Sequence, residues 1–354
     1  MIASPCLTLS DTLPPLVLGG AGFSYQTHPD PQSIPVGEII RQAFDAGVLA
    51  IDTSPYYEPS ERLIGDALSQ SIVTEHYSRS DYILMTKVGR ISADKSDYSA
   101  AWVRESVTNS LQVLQTAYLD VVFCHDIEFA NDEATLEAVG ELLEFVRQGK
   151  VRYIGLSSYF LHLLSRRAEL VRNRFGRPVD VIQNWGHMTL QSSRLEMEGL
   201  KAFRSAGVSC VFNASPLAIG LLRSGGVPEG RLGDFHPAPA GLRKAAQDAA
   251  DYISKQGENL AALALRYAVW RSVACSNYPF RVCTITGISS IRELDENVDA
   301  VRKILVTDGA SLGNLSACRA ADQIQVRKDQ PLYHKVQDIL DGWVNYSLID
   351  AERA

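Results

Sequence analysis

No stretch of this chain approaches the ~20 consecutive apolar residues that would span a bilayer, so no membrane partner is expected. Nor is there an excess of basic charge: 34 Lys and Arg stand against 41 Asp and Glu, a net charge of −7 spread along the chain. That balance offers no electrostatic footprint for nucleic acid. The 6 cysteines, at positions 6, 124, 210, 275, 283 and 318, have no paired spacing. A disulfide framework is not expected in so large a core, which points to a reducing, cytoplasmic setting, and no metal site is expected. Cys124 and Cys210 fall inside apolar runs, where a thiol behaves as a small buried hydrophobe. The first residues, Met1-Ile-Ala-Ser-Pro-Cys6, lack the basic-then-apolar layout of a secretory leader. Internal repeats and low-complexity segments are also missing. So is a Gly-x-Gly-x-x-Gly opening a first βαβ unit, which leaves a Rossmann reading without support.

What is present is a long alternation of strand and helix patterns. The 354 residues are 46% apolar and 21% charged, ordinary globular values, and the length suits one large α/β domain. Leu16–Ala21 reads as a first strand whose glycines would let backbone approach a ligand closely. A helix follows near Val36–Ala46, closed by Gly47 as a C′ glycine. Ser60 and Ser99 read as N-caps of two further helices, the second carrying Val103, Val107, Leu111 and Leu114 at the spacing of one buried face. Asp132 opens another helix that Gly149 closes. Strands at 48–51, 83–87, 121–125, 151–157, 179–184, 208–215 and 282–287 bring the total to eight. Alternation of this kind builds a parallel sheet with crossover helices, and eight units predict a single-domain (β/α)8 TIM barrel over about 15–305. More than 60 residues separate the last two strands. They are Gly- and Pro-rich at first and helical near 241–256 and 259–271, too long for a plain crossover and suited to a binding loop. Residues 306–354 form a C-terminal extension with a helix near Leu332–Trp343.

The most informative segment is Asp52-Thr-Ser-Pro-Tyr-Tyr57-Glu-Pro, at the end of the second strand. Two other strands also end in an ionisable residue, Ile83-Leu-Met-Thr-Lys87 and Val121-Val-Phe-Cys-His125. Asp, Tyr, Lys and His at strand ends is where a barrel of this kind keeps its chemistry. A free tyrosine, with a pKa near ~10, is a poor base at neutral pH. A lysine beside it favours the phenolate, and a buried lysine needs a counter-charge. Tyr57 is therefore the expected acid/base, Lys87 its electrostatic tuner, Asp52 the anchor of Lys87, and His125 the group that orients the substrate oxygen.

These residues, with Gly155-Leu-Ser-Ser158, Ile182-Gln183-Asn184, Ala214-Ser215-Pro216-Leu217 and Gly287 through Asn297 in order behind them, resemble the aldo-keto reductases over about residues 15–305. These are single-domain barrels that move a hydride between a carbonyl or alcohol and a nicotinamide. Asp52, Tyr57, Lys87 and His125 match the family's tetrad. His125-Asp-Ile-Glu-Phe129 and Asp234-Phe-His-Pro-Ala-Pro239 look most like the branch that oxidises aldoses of the D-arabinose and L-galactose type at C1, to the 1,4-lactone.

The resemblance implies cofactor contacts at Gly20, Ala21, Asp52, Ser157, Ser158, Gln183, Ser215, Leu217, Gly220, Leu222, Gly287, Ser289, Glu293 and Asn297. Ser158 stands where the family often has Asn, and Ala214 where it commonly stacks an aromatic on the nicotinamide. NADPH-preferring relatives carry Lys and Arg where this chain has Gly287 and Glu293. A carboxylate there repels a 2′-phosphate and can accept from a free 2′-hydroxyl, so NAD is expected rather than NADP. Candidate aldose contacts are Tyr56, Trp185 and His236, each open to a packing role, and Asp126, which could instead cap the next loop. Two alternatives remain: a general NADPH-dependent aldehyde or ketone reductase, and a nucleotide-binding regulatory subunit. Monomer and homodimer are both compatible with the sequence.

Overall fold

The computed structural model describes residues 8–234, 236–306 and 315–349. Eight parallel strands close into a barrel in sequence order, the last pairing with the first. They are β1 Leu16–Gly19, β2 Ala50–Asp52, β3 Ile83–Val88, β4 Leu119–Cys124, β5 Val151–Ser157, β6 Val181–Trp185, β7 Cys210–Ala214 and β8 Arg281–Gly287. Around them run α1 Val36–Asp45, α2 Ser60–Leu68, α3 Ala100–Val113, α4 Asp132–Arg147, α5 Leu161–Phe175, α6 Leu200–Ser205, α7 Ala240–Lys255, α8 Leu260–Cys275, α9 Ile291–Ile304 and α10 Gln323–Leu340. No described helix is long and apolar enough to cross a membrane.

Side-chain caps account for half of these helix starts. Ser99 accepts from the Trp102 amide, Asn131 from Ala134 and Asn259 from Ala262, each satisfying an N–H that has no intrahelical partner. Ser60 departs from expectation: it is the first residue of α2, with Pro59 at the cap. Its hydroxyl bonds Thr53 Oγ1 at 2.8 Å instead. The C-terminal helix also begins earlier than the hydropathy implied, at Gln323, where Asp322 caps it. Asp329 on α10 forms a buried ion pair with Arg266 of α8 at 2.6 Å. That polar anchor sits outside the apolar run, so hydropathy alone missed the first two turns.

Side chains alternate across each strand. One set, including Leu16, Leu18, Ile51, Leu84, Val122, Ile154, Ile182, Val211 and Val282, joins the helices in the outer core. The other set, Val17, Ala50, Met85, Phe123, Val181, Phe212 and Ile285, fills the barrel, with Leu9 and Leu13 packed at its base. This plug is the platform on which the polar mouth rests.

Candidate active site

Two residues beyond four of these plug residues, the same inward face turns polar. Ala50 is followed by Asp52, Met85 by Lys87, Phe123 by His125 and Val181 by Gln183. Lys87 is 1% exposed and Asp52 3%, and Lys87 Nζ donates to Asp52 Oδ2 at 2.7 Å and to the Thr53 carbonyl at 2.8 Å. The same ammonium lies 4.8 Å from the centre of the Tyr57 ring. His125 lies one residue past β4, and its amide extends the ladder by donating to Val88 at 2.8 Å. Its Nε2 is 3.4 Å from the Tyr57 hydroxyl and its Nδ1 3.1 Å from Ser54 Oγ. The four tetrad side chains thus converge at one point on the barrel mouth.

The electrostatics differ from the expected pattern in one respect. Burial, followed by the Asp52 and Asp126 carboxylates, pushes the Tyr57 hydroxyl well above the usual phenol range. Lys87 does not offset this rise, because Asp52 pairs with its ammonium at 2.7 Å while burial disfavours the phenolate. His125 is held well below its ordinary value by burial and by Lys87 and Arg90, so its ring is neutral. Tyr57 therefore keeps its proton, beside a neutral imidazole able to accept it.

Ser54, Tyr98, Arg90 and Glu128 are members of this site that sequence reasoning did not single out. Ser54 lies inside the Asp52–Pro59 run and Glu128 inside the His125–Phe129 run, so proximity to the tetrad was the available signal. The Tyr98 hydroxyl is shared between the carbonyls of His125 at 2.5 Å and Asp126 at 2.7 Å, and this holds Asp126 at φ 47°. Asp126 Oδ1 lies 3.7 Å from His125 Nε2. Burial and the neighbouring Glu128 push the Asp126 carboxyl up to about 7.

The other candidates spread around the mouth. Tyr56 meets His125 edge-on at 5.8 Å. Trp185 lies in register with Ala214, so both point inward, and it packs on Tyr159 at 4.5 Å. It is the ring next to the position where an aromatic is missing. His236 is not brought to the tetrad. It is buried, its Nε2 donates to the Ala218 carbonyl at 3.1 Å, and its Nδ1 accepts from the Ala238 amide at 3.1 Å. With both nitrogens used by backbone, this ring pins the β7–β8 segment.

Several positions fit a nicotinamide nucleotide. Gln183 Nε2 donates to Asp52 Oδ2 at 3.2 Å, while Gln183 Oε1 and Asp52 Oδ1 are buried without a hydrogen bond. Unpaired buried polar atoms are costly, and a carboxamide or hydroxyl at the mouth would satisfy them. Ser157 and Ser158 are buried beside them. After β7, Ser215, Ala218, Ile219 and Gly220 all adopt positive φ, the first three without being glycine. Left-handed backbone in non-glycine residues costs about 1 kcal/mol or more each. Successive residues of this kind present amides to an anion, and Leu217 and Leu222 flank the stretch. The glycines after β1 make close packing contacts. A Cβ on Gly20 would meet Ser60 Oγ at 2.7 Å, and one on Gly22 the Ile288 carbonyl oxygen at 2.2 Å. Ala21 closes its turn by accepting from Thr27 Oγ1.

Gly287 is exposed at the end of β8, and Asn297 lies half-buried on α9. Glu293 is not the free carboxylate that its position implied. Its Oε2 accepts from the Ser289 amide and hydroxyl, both at 2.8 Å, and its Oε1 from Arg223 at 3.2 Å.

Comparison with known proteins agrees with this geometry. The aldo/keto reductase family profile matches residues 15–312. D-arabinose 1-dehydrogenase of Saccharomyces cerevisiae is 39% identical over 288 residues, covering 80% of this chain and 82% of its own. L-galactose dehydrogenase of Arabidopsis thaliana is 35% identical over 268 residues, covering 75% and 77%. Among solved structures, the aldo-keto reductase AKR11C1 from Bacillus halodurans, in its holo form, superposes with a TM-score of 0.60 over 96% of this chain and 95% of its own. At 22% identity that likeness speaks for the fold.

Proposed function

This chain belongs to the aldo/keto reductase family of oxidoreductases, and we propose that it oxidises an aldose of the D-arabinose or L-galactose type at C1 to the 1,4-lactone, with hydride transfer to NAD. The observation that carries the reading is the Tyr57 hydroxyl placed against His125 Nε2, above the buried Lys87–Asp52 pair. The two dehydrogenase relatives support a sugar as substrate.

In this reading Tyr57 exchanges the proton of the sugar's C1 hydroxyl. Because its own hydroxyl is protonated, it takes up the sugar's proton as its own passes to His125 Nε2 in the same step, with the imidazole held in line by Ser54. Proton transfer by a positioned side chain contributes typically about 10²–10⁴ in rate. Lys87 supplies the positive charge that stabilises negative charge on the phenol oxygen as it develops, and Asp52 keeps Lys87 in place. Asp126 and Tyr56 border the space above His125 where the sugar would sit, while Trp185 is better placed to take up the role vacated at Ala214. The bound nicotinamide supplies the two-electron acceptor, whose chemistry is its own.

Gln183, Ser157 and Ser158 are the groups that would hold the carboxamide. Ser215, Leu217, Gly220 and Leu222 would hold the diphosphate, and Gly287, Ser289, Glu293 and Asn297 the adenosine end. The preference for NAD rests on Ser289. Its amide and hydroxyl, the anion donors at the start of α9, are already filled by the Glu293 carboxylate. A 2′-phosphate would have to displace it against like charge.

The test is an aldose panel with both cofactors, run beside NAD(P)H consumption with aromatic aldehydes. NADH formation on D-arabinose or L-galactose, exceeding turnover with NADP at equal concentration, is expected. Aldehyde reduction without aldose oxidation would move the protein to the general reductases. Nucleotide binding with negligible turnover on both panels would make it a regulatory subunit.

A further inference from the structure

Beside the tetrad lies a second polar cluster, built from Arg90 in the β3–α3 loop and Asp126 and Glu128 behind β4. The Arg90 guanidinium is fixed from three directions. It lies 5.2 Å from the Tyr56 ring centre and 3.9 Å from that of Phe129, and its Nη2 donates to the Ala93 carbonyl at 2.9 Å. Stacked guanidinium of this kind is preorganised as a planar donor. Arg90 is only 8% exposed, and its Nε lies 3.5 Å from Asp126 Oδ2 but makes no hydrogen bond. Glu128 Oε2 is also buried without a hydrogen bond.

A rigid donor, Arg90 Nε, and one carboxylate oxygen, Glu128 Oε2, both lack a hydrogen bond, while Ser158 and the Tyr159 backbone hold the Glu128 carboxylate in place. A hydroxyl serves both, since it donates to a carboxylate and accepts from a guanidinium. Leaving such atoms unpaired is costly, so an occupant that pairs them gains affinity. The Tyr56 and Phe129 rings beside them offer an apolar surface for the C–H face of a sugar. The charges decide which sugars. Lys87 and Asp52 cancel each other in contact, which leaves one guanidinium against two carboxylates at this rim. Burial pushes both carboxyls upward, and the Glu128 charge raises Asp126 further, so further negative charge here is unfavourable.

We propose that Arg90, Asp126 and Glu128 form the subsite for the non-reacting hydroxyls of a neutral sugar and exclude substrates that carry a carboxylate, such as uronic acids. The proposal rests on the aldose reading above. Glu128 and Arg90 thereby become specificity residues for the same mouth that holds the tetrad.

The test compares kcat/KM for a neutral aldose with that for its uronic acid above about pH 8, where a carboxyl titrating near 7 is ionised. The wild type, Glu128→Gln and Asp126→Asn are measured with NAD. The second substitution suits the left-handed backbone at 126, which Asn tolerates. The wild type is expected to favour the neutral sugar about a hundredfold, and each variant to narrow that ratio about tenfold by losing one repelling charge. A variant that merely disturbs the fold lowers both values together, so an unchanged ratio in both variants overturns the subsite. Wild-type turnover of the uronic acid equal to that of the neutral sugar overturns it as well. Absence of any aldose oxidation by the wild type sinks the functional reading itself, an outcome distinct from the other two.

Discussion

Lys87 and Asp52 form an ion pair of 2.7 Å in which neither side chain is more than 4% exposed. Breaking one half of such a pair strands a buried charge at a cost of about 3–5 kcal/mol, whereas removing both halves costs far less. Asp52→Asn should therefore lower unfolding free energy by about that amount, and adding Lys87→Met should recover most of it. Urea unfolding of the two single variants and the double variant checks the coupling. Additive losses would mean that the pair does not act as a unit.

Tyr57→Phe removes one oxygen and leaves the ring packed near His125 and Lys87. Turnover should fall by about 10²-fold or more, with NAD affinity close to wild type by fluorescence titration. Retention of a tenth of the wild-type rate would take Tyr57 out of the chemistry. In Lys87→Met, any residual activity should peak at higher pH, since the phenol oxygen loses its neighbouring cation.

Asp126 sets a pH dependence of stability with a definite sign. Its folded value near 7 lies above the ordinary ~4 of an aspartate, so the folded protein keeps a proton that the unfolded chain releases. The corresponding stability is fully present below about pH 4 and is lost as pH rises through about 7. Asp126→Asn, which does not titrate, should gain on the wild type between about pH 5 and 8. Denaturation midpoints at the two pH values measure the difference, and a constant offset would contradict the assignment.

Glu293→Gln removes the charge that occupies Ser289 and also frees Arg223. The ratio of kcat/KM for NADP over NAD should rise about tenfold, because a guanidinium and two donors become available to the 2′-phosphate. If the ratio does not change, the preference lies elsewhere along α9.

Gly22→Ala tests whether the glycines after β1 serve the fold. The new methyl would sit 2.2 Å from the Ile288 carbonyl oxygen, and backbone there has little room to move. Overpacking of this kind costs about 1–3 kcal/mol, readable as a lower unfolding midpoint even without cofactor. An unaffected midpoint with weakened NAD binding would restore the ligand-approach reading.

What the amino-acid order determined by itself was local and periodic. Alternation along each strand placed Asp52, Lys87 and His125 on the inward face above Ala50, Met85 and Phe123, and caps such as Ser99 and glycines such as Gly47 punctuated the helices. Eight such units suit a closed barrel, so the barrel and the gathering of these side chains at its mouth were legible before any coordinates. Contacts between loops were not. Arg90 meets Asp126, Arg223 reaches Glu293, and His236 turns inward to Ala218, each between segments with no periodic signal linking the partners. The state of Tyr57 belongs here too. Its proton is decided by how deeply the ring is buried and by Asp52 cancelling the charge of Lys87, and both are properties of the assembled mouth. Spacing can bring a lysine near a phenol, but the dielectric and the counter-charge around them exist only once the chain has closed.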